Sequence, residues 1–380
     1  MKRDKCLICD SRLSLKDLLL SLPNMPASAQ NIPAKDELDS DHSISLNMFQ
    51  CPCCGLVQLD AEPVNYYRQV IRAGGETSTM VNLRRQEYSD FVKQFKLEGK
   101  RIVEIGCGRG EFLKEWKGFP VEAYGIEYDQ KLVDSANQSG LQVYKSFAED
   151  GQTELSGTPY DAFVQFNFLE HQPYPNEMLQ CIYNNLTNDG VGLVTVPSLE
   201  YILKYDGYYE LIRDHIAYYS KQTLCFLFEK NGFEVVSHKI VNRDTHEIMV
   251  RKRQKVSVDS WKQNFEELKS EIDAYIGEYY TKGKKIAIWG ASHQGFTIAS
   301  SMRLQSKVAY IIDSAVFKQG KYAPASHIPI YGRERYFKEP VDSILILAPG
   351  YTDEIAQIIR TELNANIDIR TIRSNHLEKL

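Results

Sequence analysis

VEIGCGRGEF, Val103–Phe112, sets Gly106, Gly108 and Gly110 directly behind an apolar run. Strand, glycine turn and helix start in that order make a βα unit whose main chain can approach a ligand closely. A second strand-like run, AYGIEYD, carries Glu127 about 20 residues downstream, where a carboxylate takes ribose hydroxyls. The dinucleotide spacing is G-x-G-x-x-G. Here the third glycine comes one position early and Glu104 stands before the first. An acidic residue at the turn suits a cationic sulfonium tail better than a diphosphate, so the expected ligand is S-adenosylmethionine.

Outward from that turn the pattern alternates. RIVEIG, VEAYGIEYD, LQVYKS, YDAFVQFN and GVGLVTVP read as strands. GEFLKEWKG, starting at the glycines, QKLVDSANQSG and EMLQCIYNNLTNDG read as helices. This predicts a parallel sheet covered by helices, an α/β fold. Asn167–His171 falls at the end of the fourth strand, on the edge where open parallel sheets bind ligands. Asn167 and His171 are therefore candidate contacts for methionine or substrate, with capping of the next helix by Glu170 and His171 as the alternative. Ser198–Ser220 is rich in tyrosine and too long for an ordinary connection, which marks a candidate substrate loop. EIMVRKR reads as an edge strand. Upstream, Met80, Leu83, Tyr88, Phe91 and Phe95 recur at helical spacing.

Near Val256 a second α/β unit begins. Trp261, Phe265, Leu268, Ile272, Tyr275 and Tyr279 form one stripe of a helix. KKIAIWGASHQG then repeats the strand, turn and helix start, and VAYIIDSAV, IPIYG and DSILILAP supply strands.

At the other end, CLIC (Cys6–Cys9) and CPCC (Cys51–Cys54) are two thiolate pairs. Four thiolates suit one tetrahedral zinc ion with no open position, hence a structural one. Cys6, Cys9, Cys51 and Cys54 have the spacing, and Cys53 is an alternative for one of them. With 380 residues the chain holds two or three domains, and its net charge of -5 gives no reason to expect nucleic acid or an anionic membrane. No apolar run reaches the length of a membrane span, and no secretory leader is read at the N-terminus. A cytoplasmic location is expected, where clustered cysteines serve as ligands rather than disulfides.

CLIC, FQCPCCGLVQL, VEIGCGRGEFL, NFLEHQPYP and above all IIDSAVFKQGKYAPASHIPIYG (Ile311–Gly332) resemble, over nearly the whole chain, the three-domain nucleotide-sugar C-methyltransferases. The resemblance implies a zinc-binding domain over 1–65 and a class I (Rossmann-like) S-adenosylmethionine methyltransferase domain over 66–255. It implies a C-terminal Rossmann-like α/β domain over 256–380, with substrate held between the lobes. It further implies methylation of a carbon beside the 4-keto group of a nucleoside-diphosphate deoxysugar, through a base-generated enolate. The cofactor would lie across Glu104–Gly110, Glu127 and the Phe147–Glu149 region.

The family base lies in a segment resembling Y-H-E-H, and IRDHIAYYS, Ile212–Ser220, takes its place. His215 falls on the base and Asp214 on the neighbouring glutamate, as orienter. Arg213 replaces a histidine, and Ile212 stands where a tyrosine is expected. A second family tyrosine is missing from IRAGGETSTM, Ile71–Met80. Stabilising the enolate then falls to Arg213, Arg72 or Tyr218, unless the substrate is a different one. Tyr201, Tyr205, Tyr208 and Tyr209 are candidates for a sugar or base pocket, and His293, Lys318 and Lys321 for the sugar or diphosphate. The rivals are an O- or N-methyltransferase on a related small acceptor and a non-catalytic binding module. The expected partner is a small molecule, a nucleotide sugar, with neither nucleic acid nor membrane; the oligomeric state stays open.

Overall fold

The computed structural model describes residues 3–68 and 77–380. The chain forms two compact units, Met1–Gln254 and Lys255–Leu380.

The first unit is built on a seven-stranded sheet. Its strands are β1 (Arg101–Ile105), β2 (Glu122–Glu127), β3 (Val143–Lys145), β4 (Tyr160–Phe166), β5 (Leu186–Pro197), β6 (Phe233–Val241) and β7 (Thr245–Lys252). Their order is β6-β7-β5-β4-β1-β2-β3. β3, β2, β1, β4 and β5 run parallel, while β7 lies antiparallel to both β5 and β6. The order reverses at β1, so the crevice above its C-terminal end is where such a sheet takes a ligand. β1 is covered on both faces: Ile102, Val103, Glu104 and Ile105 are at most 2% exposed.

EIMVRKR is not the edge strand its sequence suggests. Asn242 and Arg243 adopt positive φ between β6 and β7, turning the chain back so that β7 inserts beside β5. Ile248 and Val250 on one face and Met249 on the other are then buried, which an edge strand does not require of both faces. GEFLKEWKG also departs from expectation. Leu113–Gly118 is a 3-10 segment rather than an α-helix. Trp116 stacks on Tyr88 of the helix Ser78–Phe95 with centroids 3.7 Å apart, pinning the segment too early for a second α-turn before Gly118.

The N-terminal residues do not stand apart from this sheet. Cys6, Ile8, Phe49 and Leu56 share one buried cluster with Phe168, Leu169 and Leu224. Strands Leu18–Pro26, Ser43–Gln50 and Val57–Leu59 form a second, antiparallel sheet, and its fourth strand is Ala217–Tyr218, far along the chain. The tyrosine-rich segment is therefore ordered. It holds a helix, Leu199–Lys204, capped by Ser198, and then the strand that pairs with Val57–Gln58. This pairing fixes where residues 212–216 lie.

The second unit has strands β8 (Ile286–Trp289), β9 (Tyr310–Ile312), β10 (Ile330–Tyr331), β11 (Ser343–Ile346), β12 (Asp368–Thr371) and β13 (Glu378–Lys379), in the order β10-β9-β8-β11-β12-β13. All pairs are parallel except the last. After β8, a Cβ on Gly295 would lie 2.2 Å from the Gly290 carbonyl, so the strand and helix meet as closely as glycine allows. In the helix Asp259–Thr281 the apolar stripe is buried only in its second half. Ile272 and Tyr275 are covered, whereas Trp261 is 70% exposed.

Candidate active site

The glycine turn after β1 is held in a form open only to glycine. Gly106, Gly108 and Gly110 have φ of +72°, +60° and +81°, and a Cβ on Gly110 would sit 2.2 Å from Leu141 Cδ1. Glu127, at the end of β2, locks the turn. One carboxylate oxygen accepts from the Gly108 amide at 2.9 Å, and the other from the Tyr128 and Asp129 amides at 2.8 and 2.9 Å. Burial raises the Glu127 carboxyl above its usual value, partly offset by these amides. Beside it, Phe147 and Tyr128 meet edge to face at 5.9 Å, and the Arg68 guanidinium lies over both rings. Glycine turn, buried acid and aromatic wall together fit an adenosine.

Next to the turn, at the C-terminal ends of β4 and β5, lies a cavity of about 450 Å3 lined by Phe112, Asn167, Glu170, His171, Thr195 and His215, among others. Asn167 has φ +47° and accepts a hydrogen bond from Thr195 Oγ1 at 2.8 Å. Glu170 and His171 belong to a 3-10 turn, Leu169–His171, and the following helix Pro175–Asn184 has no side-chain cap. Capping is therefore not their role. The Ile216 amide donates to the Glu170 carbonyl at 2.9 Å, and His171 Nδ1 donates to the Asp214 carbonyl at 2.9 Å. These two bonds seat the His215 ring 4.7 Å from that of His171, edge to face. Burial and then the neighbouring His171 push the His215 imidazole down to about 3, so it is neutral with a lone pair to offer. Burial also lowers His171. It pushes Glu170, 2% exposed, up to about 8.

The flanking residues of the predicted base point elsewhere. Asp214 accepts from the Ala29 amide and the Tyr66 hydroxyl at 2.8 and 2.7 Å, so only its main-chain carbonyl serves the histidines. Arg213 donates to the Glu62 carbonyl and lines a different cavity with Ser28 and Tyr66. The Tyr218 hydroxyl is held by the main chain of Ile212. Tyr205 is 54% exposed; Tyr201, not Tyr205, lines the cavity. Arg72, with Ile71, lies outside the described residues. In the second unit His293 begins the helix His293–Ser301 and is exposed, as is Lys321. Lys318 is tied down, donating to the Ala291 carbonyl at 2.8 Å and to Asp313 at 3.2 Å.

Two family models match the chain. One, described as a methyltransferase domain, covers residues 80–238, from the helix before β1 to β6. The other, described as a C-methyltransferase C-terminal domain, covers residues 224–367. The protein is an S-adenosylmethionine-dependent methyltransferase. It is related to C-methyltransferases: C-methyltransferase NovU of Streptomyces niveus is 24% identical over 93% of this chain and 91% of that protein. A ubiquinone biosynthesis O-methyltransferase of Nitrosococcus oceani is 29% identical, over only 21% of this chain and 36% of that protein. Among solved structures, a SAM-dependent methyltransferase from Aquifex aeolicus covers 46% of this chain at 17% identity, with a TM-score of 0.36.

In this methyltransferase the cysteine pairs do converge. The Cys6, Cys9, Cys51 and Cys54 sulfurs all lie within 4.8 Å of one another. Cys6 to Cys54 is 3.4 Å and Cys9 to Cys51 is 3.5 Å. A zinc–sulfur bond of about 2.3 Å would separate tetrahedral sulfurs by about 3.8 Å, so the four thiols fit such an ion with little adjustment. Cys53 is exposed and outside the group, which removes it as an alternative ligand.

Several cavity residues were not singled out from sequence. Arg84 lies over Phe166 at 3.5 Å and pairs with Glu87, three residues along the helix Ser78–Phe95. Both side chains are at most 3% exposed, and burial pushes the Glu87 carboxyl up to about 8. The signal was their spacing on the apolar side of the helix, next to Leu83 and Tyr88. Thr195 gave no signal, whereas Tyr201, one of the loop tyrosines read as pocket candidates, does line the cavity.

Proposed function

We propose that this methyltransferase transfers its methyl group to the carbon beside the keto group of a nucleoside-diphosphate 4-keto-deoxysugar, with His215 as the base. The observation that carries this reading is the seat of His215: a neutral imidazole in the cavity that opens beside the glycine turn. The full-length similarity to NovU, by name a C-methyltransferase, supports carbon as the acceptor. S-adenosylmethionine, when bound, supplies an electrophilic methyl group. Glu127 would hold its ribose, Tyr128 and Phe147 its adenine, and Glu104 with Asn167 its methionine end. His215 takes the proton that the adjacent carbonyl makes acidic, and the carbon becomes the nucleophile. His171, fixed by the Asp214 carbonyl, keeps His215 in its ring orientation. Phe112 and Phe166 give the cavity apolar wall beside the place the electrophile would take.

In the second unit we assign His293 and Lys321, both exposed, to an anionic ligand group, and Lys318 to bracing the turn after β8. The four-thiol centre would hold structural zinc, the N-terminal sheet being its domain. A reducing, cytoplasmic setting agrees with free thiols, and no nucleic-acid partner is proposed. No helix among the described residues is long and apolar enough to cross a membrane.

The test is incubation with methyl-labelled donor and a panel of nucleoside-diphosphate 4-keto sugars in deuterated buffer. Exchange of the α-proton without donor, lost in His215→Asn, is the expected result. Label on an oxygen or nitrogen would overturn it.

A further inference from the structure

The carbon-acid route needs a hydrogen-bond donor for the oxygen that gains charge as the enolate forms. Among the described residues, the donors suggested by sequence are committed elsewhere: Arg213 to the Glu62 carbonyl and Tyr218 to the Ile212 main chain. Ile212, where the resemblance implies a tyrosine, is a hydrocarbon side chain with no donor.

We propose that Glu170 is that donor, its carboxyl group hydrogen-bonding the acceptor's carbonyl oxygen while His215 takes the proton from the adjacent carbon. The inference rests on the carbon-acid reading above. Glu170 lines the cavity, and its Oε2 has no hydrogen-bond partner. Its carboxylate and the His171 and His215 nitrogens lie within 4.8 Å of one another. A carbonyl oxygen and its α-carbon are about 2.4 Å apart, from the bond lengths. With hydrogen-bond reach of about 2.6–3.2 Å at each end, donor and base belong roughly 4–6 Å apart. The cluster, with no two of these atoms more than 4.8 Å apart, stays within that reach.

A carboxyl group donates only while protonated, and burial keeps Glu170 so at neutral pH, since it ionises at about 8. The groups facing it agree. His171 and His215 are neutral, and the Tyr219 hydroxyl, itself without a partner, is pushed up by burial and by Glu170. Arg84 and its partner Glu87 line the same cavity, as do Glu210 and Asp244. Burial pushes the Glu87 carboxyl up to about 8 as well, so loss of the alkaline fall in Glu170→Gln is what assigns that fall to Glu170. The atoms balance. The carbon–hydrogen bond breaks, its proton goes to His215, and its electron pair enters the enolate, whose oxygen accepts from Glu170 without removing its proton. When the carbon forms its bond to methyl, the carbonyl is restored, the donor's sulfur keeps the old bonding pair, and His215 releases one proton to water.

The experiment measures α-proton exchange of a nucleoside-diphosphate 4-keto-6-deoxyhexose in deuterium oxide by NMR, without methyl donor. Wild type, Glu170→Leu and Glu170→Gln are compared at pH values on both sides of 8. Wild-type exchange should fall as pH rises through about 8, because an ionised carboxylate cannot donate. Glu170→Leu should lose about 100- to 1,000-fold, as for one oxyanion donor, with calorimetric affinity for S-adenosylmethionine unchanged. Glu170→Gln, isosteric and still a donor, should keep more of the rate and lose the alkaline fall. Exchange at the wild-type rate in Glu170→Leu, or an alkaline fall surviving in Glu170→Gln, would overturn the proposal. So would a rate that requires added Mn2+ and disappears with chelator, since the cluster would then be a metal site. Absence of exchange in the wild type on a sugar that it methylates would instead remove the carbon-acid reading itself.

Discussion

Replacing Glu127 by alanine tests the cofactor site most directly, because its bonds are countable. The carboxylate accepts three main-chain amides, from Gly108, Tyr128 and Asp129. A carboxylate offers about four lone-pair positions, so about one remains for a ribose hydroxyl. A hydrogen bond to a charged group contributes about 1.5–3 kcal/mol. Losing it should weaken S-adenosylmethionine binding about 10- to 150-fold, and more if Gly108 drifts once its amide is released. The side chain is 1% exposed, and its loss leaves three amides facing a hole that water can only partly fill. A stability loss of about 3 kcal/mol follows, a fall in Tm of roughly 6–12 °C for a unit of this size. Titration calorimetry reads the first number and scanning calorimetry the second. Glu127→Gln keeps the volume but sets an amide N–H or a weaker acceptor against Gly108, so affinity should drop with less loss of Tm. Wild-type affinity and Tm in the alanine variant would refute the assignment of Glu127 and the bond count behind it.

Gly110→Ala must push a methyl group to within 2.2 Å of Leu141 Cδ1 at φ +81°, so donor binding should be lost while the zinc content stays normal; retained binding by calorimetry would contradict the turn geometry. Cys54→Ser should lower bound zinc, measured by elemental analysis, well below one per chain. It should also destabilise the whole first unit, because Cys6, Ile8 and Cys51 belong to the core shared with the sheet. Cys53→Ser should change neither, its thiol being exposed and outside the group. His215 must be neutral to act, and it is protonated only below about 3, so α-proton exchange should be independent of pH from above 3 through the ordinary imidazole value of 6.5. An acid limb centred at 6.5 would place the working base elsewhere.

Much of the frame was legible because it rests on local rules. The glycines of Gly106–Gly110 are demanded by left-handed main chain, and the strand before them by apolar residues buried on both faces. Paired cysteines announce a metal at any distance in the chain. EIMVRKR misled because one strand looks alike at an edge or inside a sheet; what separates the two is whether a neighbour covers its second side. GEFLKEWKG misled because its helical pattern was overridden by a single stack, Trp116 on Tyr88.

The candidate site divides the same way. Order along the chain was enough to establish an α/β methyltransferase core with a nucleoside pocket at its first turn, and His215 came from a resemblance to one segment. Which groups stand around that histidine was decided only by tertiary pairing. Residues 217–218 join a sheet whose other strands lie before residue 60, and this brings Asp214 to His171 by its carbonyl while turning its carboxylate and Arg213 away. Glu170 read at most as a cap for the next helix; burial made it a neutral acid in the cavity, and burial belongs to no residue until the chain has folded.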